Sequence, residues 1–120
     1  MRTNEQQREG FGTLIRKHLN FRYEGEWVQN RATGNGTAQC DLWTYQGMWK
    51  SGKRWGFGIF THKDGTVYQG DWANDEYEGK GFLLEPDGTS YEGEFHLNLV
   101  WHLSLEISLS LLTSLLNSLS

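Results

Sequence analysis

The chain predicts an all-β fold, an elongated antiparallel sheet of repeated β-hairpins, on three observations. Tyr, Gly and Trp stand at period 2 in Tyr23-x-Gly25-x-Trp27, Tyr45-x-Gly47-x-Trp49 and Tyr68-x-Gly70-x-Trp72. That spacing puts each trio on one face of a strand. A Gly-x-Gly pair follows each trio, at Gly34 and Gly36, Gly56 and Gly58, Gly79 and Gly81. Tyr91-x-Gly93-x-Phe95 opens a fourth copy, and the four leading tyrosines are spaced by 22, 23 and 23 residues. A fixed period of this length marks an array of stacked units. In each unit one strand offers large rings and the other offers bare backbone where rings can lie.

The elements follow in order. Residues 1–9 are a polar lead. Residues 10–22 hold a partial repeat and a connection: Gly10-Phe11-Gly12 and Thr13-Leu14-Ile15 look like the second strand of a unit whose first strand is absent. This suggests a capping half-repeat or, the reading favoured here, a piece of a longer parent. The repeats span 23–96, divided as 23–44, 45–67, 68–90 and a partial 91–96. First strands are expected near 21–27, 43–49, 66–72 and 89–95, and second strands near 34–40, 56–61 and 79–84. Three residues after each Trp stand Asn30, Gly52 and Asp75, types that tolerate a left-handed backbone. Gly65 and Gly88, three residues before the next Tyr, suit a tight turn. Leu42 holds that place in the first unit, so the Asp41–Thr44 connection is expected to differ. Residues 97–120 form a Leu/Ser-rich tail whose first part alternates at period 2 and whose last part suits an amphipathic helix. It is too polar to read as a membrane span, and it is a candidate cover for the last sheet edge.

The Tyr-x-Gly-x-Trp, turn, Gly-x-Gly, Asp-Gly pattern resembles the MORN (membrane occupation and recognition nexus) repeat family. Tyr45–Gly65 and Tyr68–Gly88 match best, and Tyr23–Leu42 matches less fully, with Asn30 at a usual glycine position. The resemblance covers about residues 10–96. It implies a row of β-hairpins and a scaffold or protein-binding role, at times at membranes or in cilia and flagella.

Composition narrows the function classes. Fifteen glycines, six tryptophans and one proline fit β structure with close backbone approach. The net charge is −4. It divides into +3 over residues 1–22 and −6 over residues 23–96, which speaks against nucleic-acid binding despite the aromatic rows. Cys40 is the only cysteine, so no intrachain disulfide forms, in keeping with a reducing compartment and a cytoplasmic setting. Cys40 reads as a half-buried strand residue.

No chemistry-bearing constellation stands out. Glu24 and Glu26, like Glu92 and Glu94, alternate with the rings and read as a solvated strand face, not as an acid/base pair. The four histidines lack metal-ligand spacing. Asp64-Gly65 and Asp87-Gly88 lack the distal ligands of a calcium loop and read as turns. Each Gly-x-Gly lacks the third glycine of a dinucleotide fingerprint. No cofactor, metal or small-molecule substrate is implied, and the chain reads as a non-enzyme.

The expected function is a repeat scaffold for protein–protein interaction, with cytoskeletal or ciliary assemblies as the setting the resemblance adds. Tyr23, Trp27, Tyr45, Trp49, Tyr68, Trp72, Tyr91 and Phe95 form one face, either packing as the array's core or meeting a partner. The alternatives are a weak membrane contact through anionic phospholipid or a regulatory fragment of a larger enzyme such as a lipid kinase. For the membrane contact the basic residues at hand are Arg2, Arg8, Arg16, Lys17, Arg22, Lys50, Lys53 and Arg54.

Overall fold

The computed structural model describes residues 7–96 and 99–100. These form one nine-stranded antiparallel sheet with strands in chain order. The strands are β1 (Gly10–Arg16), β2 (Phe21–Val28), β3 (Arg31–Gln39), β4 (Trp43–Lys50), β5 (Lys53–His62), β6 (Val67–Ala73), β7 (Glu76–Leu84), β8 (Ser90–His96) and β9 (Leu99–Val100). A single 3₁₀ turn, Lys17–Leu19, links β1 to β2. The first strands of the units fall where the period places them. The second strands begin three residues earlier than expected, because the hairpin loops are only two residues long. The tail's alternating strand and helix lie outside the described residues except for β9.

Each repeat is one hairpin: β2 with β3, β4 with β5, β6 with β7. The loops are Gln29-Asn30, Ser51-Gly52 and Asn74-Asp75, with both residues at positive φ (48° and 70°, 50° and 84°, 50° and 70°). That is the type I′ geometry, whose twist matches the flanking strands. The residues three after each Trp therefore hold the second turn position, as their types suggest.

The connections between hairpins explain the uneven period. His62 N–H donates to the Thr66 carbonyl, and Glu85 N–H to that of Thr89, each at 2.8 Å. Each pair encloses three residues ending in Gly65 (φ 105°) or Gly88 (φ 91°). The Asp64 and Asp87 carboxylates accept the Thr66 and Thr89 N–H groups at 2.8 and 2.9 Å. Those bonds hold both acids below the usual carboxylate range. In the first unit Cys40 N–H donates to the Trp43 carbonyl at 3.0 Å, enclosing only Asp41 and Leu42. One residue fewer in this connection gives the spacing of 22, and Leu42 needs no left-handed backbone.

A line of glycines crosses the sheet at right angles to the strands. Gly12 pairs with Gly25, Gly25 with Gly36, Gly36 with Gly47, Gly47 with Gly58, Gly58 with Gly70, Gly70 with Gly81, and Gly81 with Gly93. The second glycine of each Gly-x-Gly sits in this line. The first, at Gly34, Gly56 or Gly79, has a positive φ (99°, 77° and 75°). It lies where the hairpin register slips, between Gly25 and Trp27, Gly47 and Trp49, and Gly70 and Trp72. The two glycines thus have different duties: one permits a bulge, the other leaves room for a ring.

Candidate protein-interaction surface

The sheet has a ring-bearing face and an outer face. On the first, the tyrosine that opens each repeat lies flat over the glycine line. Its hydroxyl donates to a backbone carbonyl three residues on: Tyr23 to Glu26 at 2.9 Å, Tyr45 to Met48 and Tyr68 to Asp71 at 2.7 Å. Each tryptophan reaches the preceding unit. The Nε1–H of Trp27 donates to the Gly12 carbonyl, that of Trp49 to Gly36 and that of Trp72 to Gly58, at 3.0–3.3 Å. Rings meet edge to face both within a repeat and across the boundary: Tyr23 with Trp49, Tyr45 with Trp72, Tyr68 with Phe95, at 5.1–5.3 Å. This arrangement is favourable for aromatic quadrupoles.

Of the eight residues singled out in the sequence, Tyr23, Trp27, Tyr45, Trp49, Tyr68, Trp72 and Phe95 are buried, none above 8% exposed. Tyr91 is half-buried. All eight share the ring-bearing face, and together they make most of the core of a single-layer sheet.

Among the contributors to this face that were not singled out in the sequence are Tyr77 and Arg54. Tyr77 stacks on Tyr68 with ring centroids 3.8 Å apart and planes within 6°. Its signal was present, since Tyr77, Gly79 and Gly81 stand at period 2. Arg54 had no comparable signal. Its guanidinium lies 4.6 Å from the Trp72 ring centroid and 5.9 Å from that of Tyr45. Its Nε donates to the Asp75 carboxylate at 3.0 Å, and its Nη2 to the Asp75 carbonyl at 3.1 Å. Arg54 is therefore part of the ring-bearing face, and it is not available for the membrane contact in which the sequence counted it.

Burial sets the titration of the phenols. It pushes Tyr23 and Tyr77 up from 10.0 to about 12, Tyr23 with help from Glu26 and Tyr77 against the opposing Arg54 charge. Burial raises Tyr45 and Tyr68 as well. Below pH 10 these groups are protonated in both folded and unfolded chains and their stabilisation is complete. Above it the unfolded chain loses protons that the folded chain keeps, so stability falls as pH rises through the window from 10 to about 12. Denaturant titrations at neutral pH and at about pH 11 should show a lower midpoint at the alkaline value. Equal midpoints would mean that the phenols are solvated in the fold.

The outer face differs in chemistry. Glu24, Glu26, Gln46, Gln69, Asp71, Glu92 and Glu94 are exposed there, as the alternation suggests. Phe11, Phe57 and Phe82 stand among them at 72%, 52% and 37% exposed. Each is paired across strands with an acid: Phe11 with Glu26, Phe57 with Asp71, Phe82 with Glu92. Direct cross-strand partners share a face. Two shallow concavities run beside these rings. One is lined by Phe57, Asp71, Lys80, Phe82, Glu92 and Glu94, the other by residues that include Phe11, Glu24, Gln46, Phe57 and Ile59. Among the described residues no cluster of His, Cys, Asp or Glu could hold a metal ion, and no helix is long and apolar enough to cross a membrane.

The model of the MORN repeat matches residues 23–41, 45–67 and 68–90. The chain belongs to the MORN repeat family. No curated protein matches it. Its MORN units coincide with the three hairpins, and the Tyr-Gly-Trp strand, I′ turn and Gly-x-Gly strand are the structural content of each. MORN repeats generally mediate protein–protein contacts, and this chain is a MORN-repeat interaction module.

Proposed function

We propose that this MORN module is a non-catalytic scaffold that binds a protein partner along its outer face. One observation carries the reading: Phe11, Phe57 and Phe82 stay exposed on a regular acidic surface, while the ring-bearing face is consumed by its own packing. Exposed aromatics beside convergent charge are the chemistry of an interface anchor. The complementary partner carries apolar side chains flanked by Lys or Arg, on a helix or another repeat array. Opposite charge would favour its association and orientation. The setting proposed with it is a cytoskeletal or ciliary assembly in the cytoplasm.

Phe57 gives the test, because it borders both concavities and is half exposed. Phe57→Ser should leave the unfolding midpoint close to wild type. Capture from cytosolic and cytoskeletal extracts, followed by titration of the purified partner, should show affinity reduced by about tenfold or more, roughly 1.4 kcal/mol. Unchanged affinity would exclude the outer face.

A second reading has its own observation. At the hairpin-turn edge Arg31, Lys50 and Lys53 surround the exposed Trp55, with Lys50 Nζ 5.0 Å from the Trp55 ring centroid. Cations beside an exposed indole suit an anionic phospholipid surface. Salt-sensitive flotation on anionic liposomes, with no specific protein captured, would favour that reading over the scaffold.

A further inference from the structure

We propose that the outer edge of β1 receives β8 of a second copy of this chain, joining copies head to tail into a longer sheet. This goes beyond partner binding on the outer face and does not depend on it.

Strand β1 is finished as the second strand of a repeat in every respect but its partner. Gly10 holds φ 73°, like Gly34, Gly56 and Gly79 at the bulges of the complete hairpins. Arg8 takes the place of Arg54, two residues before that glycine. It lies 4.9 Å from the Trp27 ring centroid as Arg54 lies over Trp72. Arg8 also exchanges bonds with Asn30, its N–H donating to Oδ1 at 2.7 Å and its carbonyl accepting at 3.0 Å. Arg54 exchanges the same pair with Asp75. Among the described residues, no strand pairs with the outer edge of β1.

What β1 lacks is a tyrosine over its glycine. A Cβ built on Gly36, Gly58 or Gly81 would fall 2.1–2.4 Å from the hydroxyl of the tyrosine above it. Among the described residues, a Cβ on Gly12 meets only the Trp27 ring, at 3.4 Å. No tyrosine among the described residues fills at Gly12 the slot that a ring fills in each complete repeat.

The opposite end of the sheet carries the matching half. Strand β8 is a first strand, Tyr91-x-Gly93-x-Phe95, and no Gly-x-Gly strand follows it among the described residues. Tyr91 is only half-buried, and its hydroxyl reaches the Glu94 carbonyl at 3.4 Å, against 2.7–2.9 Å in the complete repeats. Among the described residues only β9 pairs with its far side, at Phe95 and His96, a two-residue ladder that docking would displace. Transferring the β2–β3 register places Gly93 against Gly12, Glu92 against Thr13 and Tyr91 against Leu14. The contact joins two different edges, so it repeats without closing unless the chain of copies curves into a ring.

The substitution Gly12→Ala separates folding from docking. In the single chain its methyl group makes ordinary contacts, whereas under a docked Tyr91 it would meet the ring as at Gly36. Sedimentation velocity on the full chain, from micromolar to millimolar concentration, should show growing species for wild type. The Gly12→Ala chain should stay monomeric with an unchanged unfolding midpoint. A Cys40→Ser background then tests the register. Mixed Thr13→Cys and Glu92→Cys chains should form a disulfide heterodimer under mild oxidation, since directly paired strand residues lie within disulfide reach. Three results would each overturn the proposal. One is a wild-type monomer at every concentration, as when the chain's own tail covers β8. Another is association that Gly12→Ala leaves intact. The third is cross-linking of Thr13→Cys chains to one another in preference to Glu92→Cys chains, which would indicate pairing of two β1 edges.

Discussion

Trp49→Ala is expected to lower stability by about 3–5 kcal/mol, the range for removing a large buried ring. Trp49 is 8% exposed and touches two tyrosines, its own repeat's Tyr45 at 5.0 Å and the preceding repeat's Tyr23 at 5.3 Å. Its Nε1–H also satisfies the Gly36 carbonyl. Alanine would leave a cavity at the boundary between two repeats and remove a bond that ties one hairpin to the next. Neighbouring units sustain each other in an array, so the loss should broaden or lower the whole thermal transition. A neutral result would mean that the repeats are held by their backbone ladders and not by the rings. It would also restore Trp49 as a candidate contact for a partner.

Gly58→Val should destabilise by roughly 1–3 kcal/mol through overpacking. The first added carbon would stand 2.1 Å from the Tyr45 hydroxyl and 2.4 Å from two of its ring carbons. Tyr45 is fully buried and held at both ends, by its hydrogen bond to Met48 and by the rings of Trp49 and Trp72. It cannot swing aside as an exposed side chain would, so the strain must spread through β4 and β5. Chemical denaturation gives the measurement. A loss of only a few tenths of a kcal/mol would show that the ring has an alternative position and that the glycine is incidental. Comparison with Gly12→Ala, where the added carbon meets only the Trp27 ring at an ordinary 3.4 Å among the described residues, separates the steric effect from any general penalty for losing glycine.

Much of this fold was legible because the repeat uses a few residues with strong and opposite requirements. A large ring and an absent side chain must coincide for a single-layer sheet to have a core. Tyr45 and Gly58 therefore announce each other across the hairpin. The turn residues were readable for a similar reason, since Asn30, Gly52 and Asp75 sit where the backbone is left-handed. Arg54 was hidden because a cation among aromatics reads as a surface charge until the fold brings Trp72 and Asp75 to it. The equivalent position is Ala32 or Tyr77 in the other complete repeats and is arginine again only at Arg8 of the partial unit, so no residue type marks it in every repeat. The outer face was legible as polar, but the meaning of Phe11, Phe57 and Phe82 was not. They fall on opposite sides of the glycine line, and only the strand register shows them sharing a surface with the acids.

The strictly sequential strand order has a kinetic consequence. Every ladder in the sheet joins neighbours in the chain, so no strand waits for a distant one before it can pair. The entropy of loop closure is met in small, similar increments, one hairpin or one short connection at a time. Sheets are usually slow to form because their contacts are remote in sequence. Here formation can begin at any I′ turn and spread outward, with a rate governed by the hairpin closure and the docking of the next ring over its glycine.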